Sequence, residues 1–427
     1  MLNSPRRPAL LLVNCGQLLT LRGPRHARRG REMRELGLIP NGALLLKGDR
    51  VIAAGRLREV RTRPEARGAR ALDLQGRVVL PGFVDAHTHA LYPASRVDEY
   101  VMRLEGRSYE QIARAGGGIH ASARRLRRLS ESALTQRLAQ ALPTFLRHGT
   151  TTVEVKSGYG LELDQELKML RAIKAAAEGS PLDVVATVLA HAVPARSRSH
   201  PALYVEEFRT RLLPSVVRGG LAEFVDVFCD RGFFSVQETR QILASARGLG
   251  LKVKVHAEQL ARTGGARLAA GLGAVSADHV DRLSESDIRL LARSHTIATL
   301  LPGSVLHLGM GTFAPARTLI NRRVPVALAT NFNPGSSPTP NMQIILSLAC
   351  SQMGMTPAEA MTAATINGAY ALDRGHLLGS LEPGKQADVA IMDLKDYREI
   401  PYYFGINHCW AVIKRGRIVY QRQGEGR

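Results

Sequence analysis

Two histidines one residue apart, His87 and His89, close the stretch Leu80-Pro81-Gly82-Phe83-Val84-Asp85-Ala86-His87-Thr88-His89. Side chains alternate along an extended strand, so positions i and i+2 share a face and can converge on one ion. Imidazole nitrogen suits zinc- or iron-type metals. The same spacing recurs at His256 and Glu258. More polar groups stand at the ends of other apolar runs. These are Glu154 and Lys156 followed by Ser157-Gly158-Tyr159-Gly160, then His191, then Asp278-His279, then Asn331 with Asn333 and Gly335-Ser336. A lone histidine in such a place reads most simply as a hydrogen-bonded structural residue. Five of them at four strand ends require a common centre.

The chemistry these residues suit is hydrolysis. A hydrolytic metal site needs about three protein ligands and an open position for water. His87, His89 and His256 supply the three. A metal so held brings the pKa of water towards neutrality. Glu258, two residues beyond a ligand, is the expected general base. His279 is expected to hold or polarise the same water, or to stabilise the developing anion.

From Val78 onward, apolar strand-like runs alternate with amphipathic helical segments such as Glu131–His148 and Leu163–Ala177. That alternation predicts parallel βα units. The eight strand candidates are Val78–His87, Thr150–Lys156, Asp183–His191, Phe224–Cys229, Leu251–His256, Ala274–His279, His295–Leu301 and Val324–Thr330. Eight such units make a (β/α)₈ TIM-type barrel, whose chemistry sits at the C-terminal ends of the strands, where the polar groups fall. Short strands before and after the barrel, from Leu10, Ala43 and Arg50 and again from Ala387, Val412 and Arg417, predict a small β-sandwich domain built from both termini. The expected division is residues 1–77, the barrel over 78–375, and 376–427. A helix is expected over Pro357–Leu372, and a basic surface loop over Gly23–Gly37.

Lys and Arg number 58 against 37 Asp and Glu, a formal charge of +21. Such an excess can serve nucleic acid or anionic surfaces. The arginines are scattered, however, and no aromatic residues interleave with clusters such as Arg124-Arg125 and Arg127-Arg128. The charge is better suited to an anionic small-molecule substrate, with no nucleic-acid partner. No run reaches the roughly eighteen apolar residues of a membrane span. The basic start, Arg6-Arg7 before Ala9–Val13, resembles a signal peptide only faintly; Asn14 ends the run and no cleavage site follows. Cys15, Cys229, Cys350 and Cys409 are far apart, which suggests reduced, buried thiols and a cytoplasmic setting.

The sequence resembles the amidohydrolase superfamily and, within it, the imidazolonepropionase family of histidine breakdown. The resemblance spans nearly the whole chain. It is carried by PGFVDAHTH at 81–89, Arg96 with Glu99-Tyr100, AGGGIH at 115–120, EVKSGYGLEL at 154–163, AHAVP at 190–194, DVFCDRG at 226–232, HAEQL at 256–260, LGAVSADHV at 272–280, NFNPGSSPT at 331–339 and LEPGKQADV at 381–389. HxH indicates only the superfamily; EVKSGYGL together with FNPGS is more specific. The resemblance implies one zinc or iron ion per chain on His87, His89 and His256. It implies that Arg96, Tyr159, His191 and Gln259 bind 4-imidazolone-5-propanoate, and that Asn333, Gly335 and Ser336 hold its N-formimidoyl-glutamate part. It also suggests a homodimer. A propanoate carboxylate wants a guanidinium fork, which Arg96 offers; the plainer alternative for Arg96 is an ion pair with Asp98 or Glu99. Lys156 stands where some relatives bridge two metals with a carboxylated lysine, and here a plain lysine and one metal are expected.

One residue departs from the family pattern. Asn331 stands where that pattern has an Asp that serves as fourth metal ligand and proton shuttle. An amide oxygen is still a weak neutral ligand, but it accepts no proton near neutral pH. The alternatives to imidazolone hydrolysis are therefore another amidohydrolase, such as a deaminase or ring opener, and a catalytically impaired ligand-binding variant.

Overall fold

The computed structural model describes residues 8–107 and 109–423; the Arg6-Arg7 start lies outside them. Eight parallel strands run in sequence order around a barrel: Phe83–Asp85, Thr150–Lys156, Asp183–Ala190, Phe224–Cys229, Lys252–Ala257, Ser276–His279, Ile297–Leu300 and Val326–Leu328. Their residues are buried almost throughout, because helices cover the outer face and side chains fill the inside. The seam between first and last strands is closed at its upper end. Asn331 N–H donates to the His87 carbonyl (3.0 Å) and His89 N–H to the Phe332 carbonyl (2.9 Å). Asp85 reinforces the seam by accepting from Thr330 N–H (2.9 Å) and Thr330 Oγ1 (2.5 Å).

The run 78–87, expected as one strand, is divided at Gly82. Val78–Pro81 pairs with Leu10–Leu19 and Val389–Met392 outside the barrel, and only Phe83–Asp85 pairs with Thr150–Lys156 within it. A Cβ at Gly82 would overlap the Thr151 side chain, so glycine lets the chain pass between the two sheets. The terminal strands do come together, as expected. They form one continuous mixed sheet in the order 417–421, 409–414, 389–392, 78–81, 10–19, 38–47 and 50–56, with Arg70–Asp73 added to Leu10–Leu19. The two halves share a core of Leu12, Leu18, Leu44, Val79, Ile391 and Ile413.

Two local expectations are corrected. The helix Pro357–Leu372 is broken at Thr365 into Pro357–Ala364 and Ile366–Ala371. The second piece is pinned by Asn367, whose amide donates to Arg28 and Val326 carbonyls and accepts from Arg28 N–H. The segment Gly23–Gly37 is not a free surface loop. It buries Arg28 and Met33, and the Arg28 guanidinium donates to the Glu35 (2.6 Å) and Leu21 carbonyls.

Candidate metal and substrate site

His87, His89 and His256 converge at the C-terminal end of the barrel, buried, with one ring nitrogen of each within 4.8 Å of the others. The His87 and His256 rings are 4.4 Å apart, and His256 Nε2 lies 3.4 Å from His89 Nε2. Two of the three rings are oriented by carboxylates. His87 Nδ1 donates to Asp278 Oδ2 (2.6 Å), which leaves Nε2 a bare lone pair. His256 Nδ1 lies 2.8 Å from Asp226 Oδ2, while Asp226 Oδ1 accepts His256 N–H at 3.1 Å. Burial first, then the charge of Lys156 for His87 and the ring of His256 for His89, hold both imidazoles well below their ordinary pKa. Neutral imidazole is the form that binds metal.

His87 Nε2 and Asn331 Oδ1 are among the buried polar atoms of the described residues that have no hydrogen-bond partner. Such atoms are costly to leave unpaired, and beside three converging imidazoles they fit a cation. Asn331 itself is buried, with a left-handed backbone (φ 53°) that asparagine tolerates.

Below the histidines lies a buried ionic group. Lys156 Nζ is 2.7 Å from Asp226 Oδ2, 2.8 Å from Glu154 Oε2 and 3.7 Å from Asp278 Oδ2. Burial alone would depress the Lys156 amine, but these carboxylates outweigh it and raise its pKa. Lys254 joins through Glu154 Oε1 (2.9 Å) and the Ala86 carbonyl (2.9 Å). Asp226 and Asp278 thus each orient a histidine while both face one ammonium. The sequence reading missed Asp226 and Lys254 as part of the site. Their signal was a charge facing inward in an otherwise apolar strand, Asp226 within Phe224–Cys229 and Lys254 two residues before His256.

The model of the amidohydrolase family matches residues 78–420. The chain is 48% identical over 414 residues to an imidazolonepropionase of Geobacillus kaustophilus, covering 96% of this chain and 97% of the relative. It is 42% identical to that of Alkaliphilus metalliredigens, covering 97% and 98%. The chain belongs to the amidohydrolase family, among the imidazolonepropionases. Its fold is also similar to that of a triazine hydrolase from Arthobacter aurescens, with TM-score 0.73 at 16% identity over 97% of this chain and 95% of that one. This amidohydrolase therefore carries a metal-dependent C–N hydrolase fold with a cluster suited to a metal cofactor.

Several other expected site residues stand near these histidines. Tyr159, buried, and His191, partly buried, stand beside His89, with ring centroids 6.2 and 5.7 Å from it. Burial pushes the Tyr159 phenol up and His191 down to about 3, and the Arg96 charge is felt at both. His279 stands 5.4 Å from the His256 ring and 5.7 Å from that of His87, with Nδ1 3.8 Å from Asp281 Oδ2. Gln259 follows in the next turn, where Asp230 Oδ2 accepts its N–H at 2.8 Å.

The Asn331–Ser337 loop is held by Asn333. Its Nδ2 donates to the Asn331 carbonyl (2.6 Å), and its Oδ1 accepts the N–H groups of Gly335 and Ser336 at 2.8 Å each. Asn333 therefore shapes this loop through its own amide. A Cβ at Gly335 would overlap the Arg96 guanidinium, so glycine admits the arginine. Arg96 also forks onto Glu99, with Nε 2.9 Å from Oε1, so the ion pair considered as its alternative is present. Arg103 is an unexpected neighbour, donating to the Gly335 carbonyl (2.9 Å) and contacting His307 Nε2 at 3.2 Å.

Glu258 has more contacts than its expected role requires. Oε1 accepts from Thr263, Gly264 and Gly265 N–H (3.2, 2.7 and 2.9 Å), and Oε2 from Ala266 N–H (2.7 Å). The carboxylate is turned onto the start of the helix Gly265–Leu272, and only one lone pair on Oε2 is left over. Burial raises its pKa against these backbone bonds.

Proposed function

We propose that this chain hydrolyses 4-imidazolone-5-propanoate to N-formimidoyl-L-glutamate in the breakdown of L-histidine. The observation that carries this reading is the cluster of three buried imidazoles whose ring nitrogens converge within 4.8 Å, in a chain 48% identical over 96% of its length to an imidazolonepropionase. In the reaction the oxygen of water bonds to the ring carbonyl carbon. The bond from that carbon to the ring nitrogen breaks, and the nitrogen takes up a proton.

His87, His89 and His256 hold the metal, with the Asn331 amide oxygen as a weak fourth donor. A bound zinc or iron ion supplies Lewis acidity to the ring carbonyl and makes water acidic. One ion per chain is the stoichiometry the charges favour, because the Lys156 ammonium already fills the space between Glu154, Asp226 and Asp278. A carbamate on Lys156 would set a fourth negative charge against those three.

Arg96, with Arg103 behind it, makes the mouth cationic and receives the propanoate carboxylate. Tyr159, His191 and Gln259 contact the ring, and the Asn333–Ser336 loop holds the formimidoyl-glutamate part. His279 handles the proton near the reacting carbon, since its ring faces His87 and His256. Glu258 shares that work only through the remaining lone pair on Oε2. A homodimer in the cytoplasm is the proposed setting; it rests on the family resemblance and on four unpaired cysteines. Among the described residues no helix is long and apolar enough to cross a membrane.

Asn331 favours one second reading, a chain that binds the imidazolone but turns it over poorly. Metal analysis of purified protein together with an imidazolone-consumption assay decides between them. About one metal per chain with sustained consumption supports the hydrolase. A fully metal-loaded protein that binds but does not consume substrate supports the second reading.

A further inference from the structure

Glu166 has no part in the chemistry above, yet its carboxylate is buried in the first turn of the helix Leu163–Glu178, directly behind the substrate pocket. Oε2 accepts the N–H of Gly158 at 2.7 Å and Oε1 that of Leu161 at 2.6 Å. The Ser157 side chain and the Gly160 backbone also bond to it. The segment it grips, Ser157–Leu161, is not a relaxed turn. Gly158 has φ +105° and Leu161, a bulky side chain, φ +61°. Such a residue holds a left-handed conformation only when its surroundings impose it. A Cβ at Gly160 would stand 2.6 Å from the Glu166 nitrogen, so the loop and helix backbones are in close contact.

This loop carries one proposed substrate contact and supports a second. Tyr159 is on it. The Gly158 carbonyl lies 3.2 Å from His191 Nδ1, where it takes that proton and leaves Nε2 as an acceptor. One residue, Gly158, therefore links Glu166 through its N–H with His191 through its carbonyl. We infer that Glu166 is a positioning residue for substrate recognition, fixing the Tyr159 hydroxyl and the His191 tautomer through the Ser157–Leu161 loop. A carboxylate suits the task because it only accepts, and each oxygen faces an N–H. Glutamine would turn an NH₂ towards one of those donors and leave a buried N–H unpaired. The inference rests on the reading that Tyr159 and His191 touch the imidazolone.

Glu166→Gln is therefore expected to raise KM for the imidazolone roughly tenfold or more, with kcat changed less than about threefold and metal content unchanged. In a Tyr159→Phe background the loss should shrink, since both changes act on one contact. A merely structural role would lower the melting temperature and leave KM as it was, and that result overturns the inference. So does full additivity with Tyr159→Phe. If Tyr159→Phe and His191→Ala raise KM but Glu166→Gln does not, the positioning role fails while the function stands. If neither Tyr159→Phe nor His191→Ala moves KM, the substrate-contact reading fails instead. Should Glu166→Gln not fold, hydrogen exchange on the unaltered holoenzyme decides. The Gly158 and Leu161 amides are expected to be as protected as the barrel strands, and their exchange within seconds overturns the proposal.

Discussion

Replacing Asn331 by Asp is the most direct test of how this site works. The backbone of residue 331 is fixed at both ends, its N–H on the His87 carbonyl (3.0 Å) and its carbonyl on Asn333 Nδ2 (2.6 Å). Its left-handed φ of 53° is open to Asp as to Asn. The side-chain oxygen is buried without a partner beside the histidines, so the new carboxylate oxygen would occupy the same place. Shape is conserved; charge and basicity are added. Three imidazoles are enough to hold a zinc-type ion, so metal should be bound in both proteins, but more slowly lost to a chelator in the Asp variant. Substrate affinity should move little, because Arg96, Tyr159 and the Gly335-Ser336 turn are untouched. Turnover should rise at least roughly tenfold, since a positioned acid–base group contributes about 10²–10⁴-fold. The assay is imidazolone consumption at saturating substrate on fully metal-loaded protein, with chelator-release rates alongside. An Asp variant no faster than this chain would refute the reasoning and leave the proton transfers to His279 and Glu258.

Arg96→Ala should weaken substrate capture by about 2–5 kcal/mol, read as KM, if the guanidinium leaves Glu99 for a desolvated carboxylate; an unchanged KM would show that it serves Glu99 alone. Lys156→Met should destabilise the barrel by about 3–5 kcal/mol, because Asp226 and Asp278 would lose their buried ammonium and Glu154 would keep only Lys254. A melting temperature within a degree of the parent protein argues against that charge balance. Acid should expose Glu359. Burial alone would raise its carboxyl, but bonds from Arg317, the Thr356 backbone and Arg34 hold it to about 2. Its folded pKa is below the unfolded value, so its stabilisation is complete above about pH 4.5 and lost as pH falls towards 2. With Arg34 and Arg317 partly exposed, the contribution is about 2 kcal/mol. Glu359→Gln should therefore cost that much at pH 7 and only about a quarter of it near pH 2.5; a pH-independent difference in melting temperature speaks against it.

Much of this protein is legible in the order of its residues. Parallel βα alternation and the i, i+2 pairs at strand ends are local patterns. They placed His87, His89, His191, His256 and His279 at one end of a barrel before any contact was known. Other features depended on packing between distant segments. The run 78–87 reads as one strand, yet Gly82 hands it from one sheet to the other because the Thr151 side chain blocks anything larger. Glu258 has the spacing of a general base, yet four backbone N–H groups of a following helix claim its oxygens. Arg96 reads as a fork for a carboxylate ligand, yet its guanidinium already has a partner three residues on. Asp226 and Lys254 look like isolated charges until the barrel closes and brings them against His256 and Ala86, 30 and 168 residues away in the sequence. Side-chain type and spacing determine which face of a strand a group lies on. Which other group it meets there depends on the register and curvature of eight strands at once, and only the tertiary structure decided that.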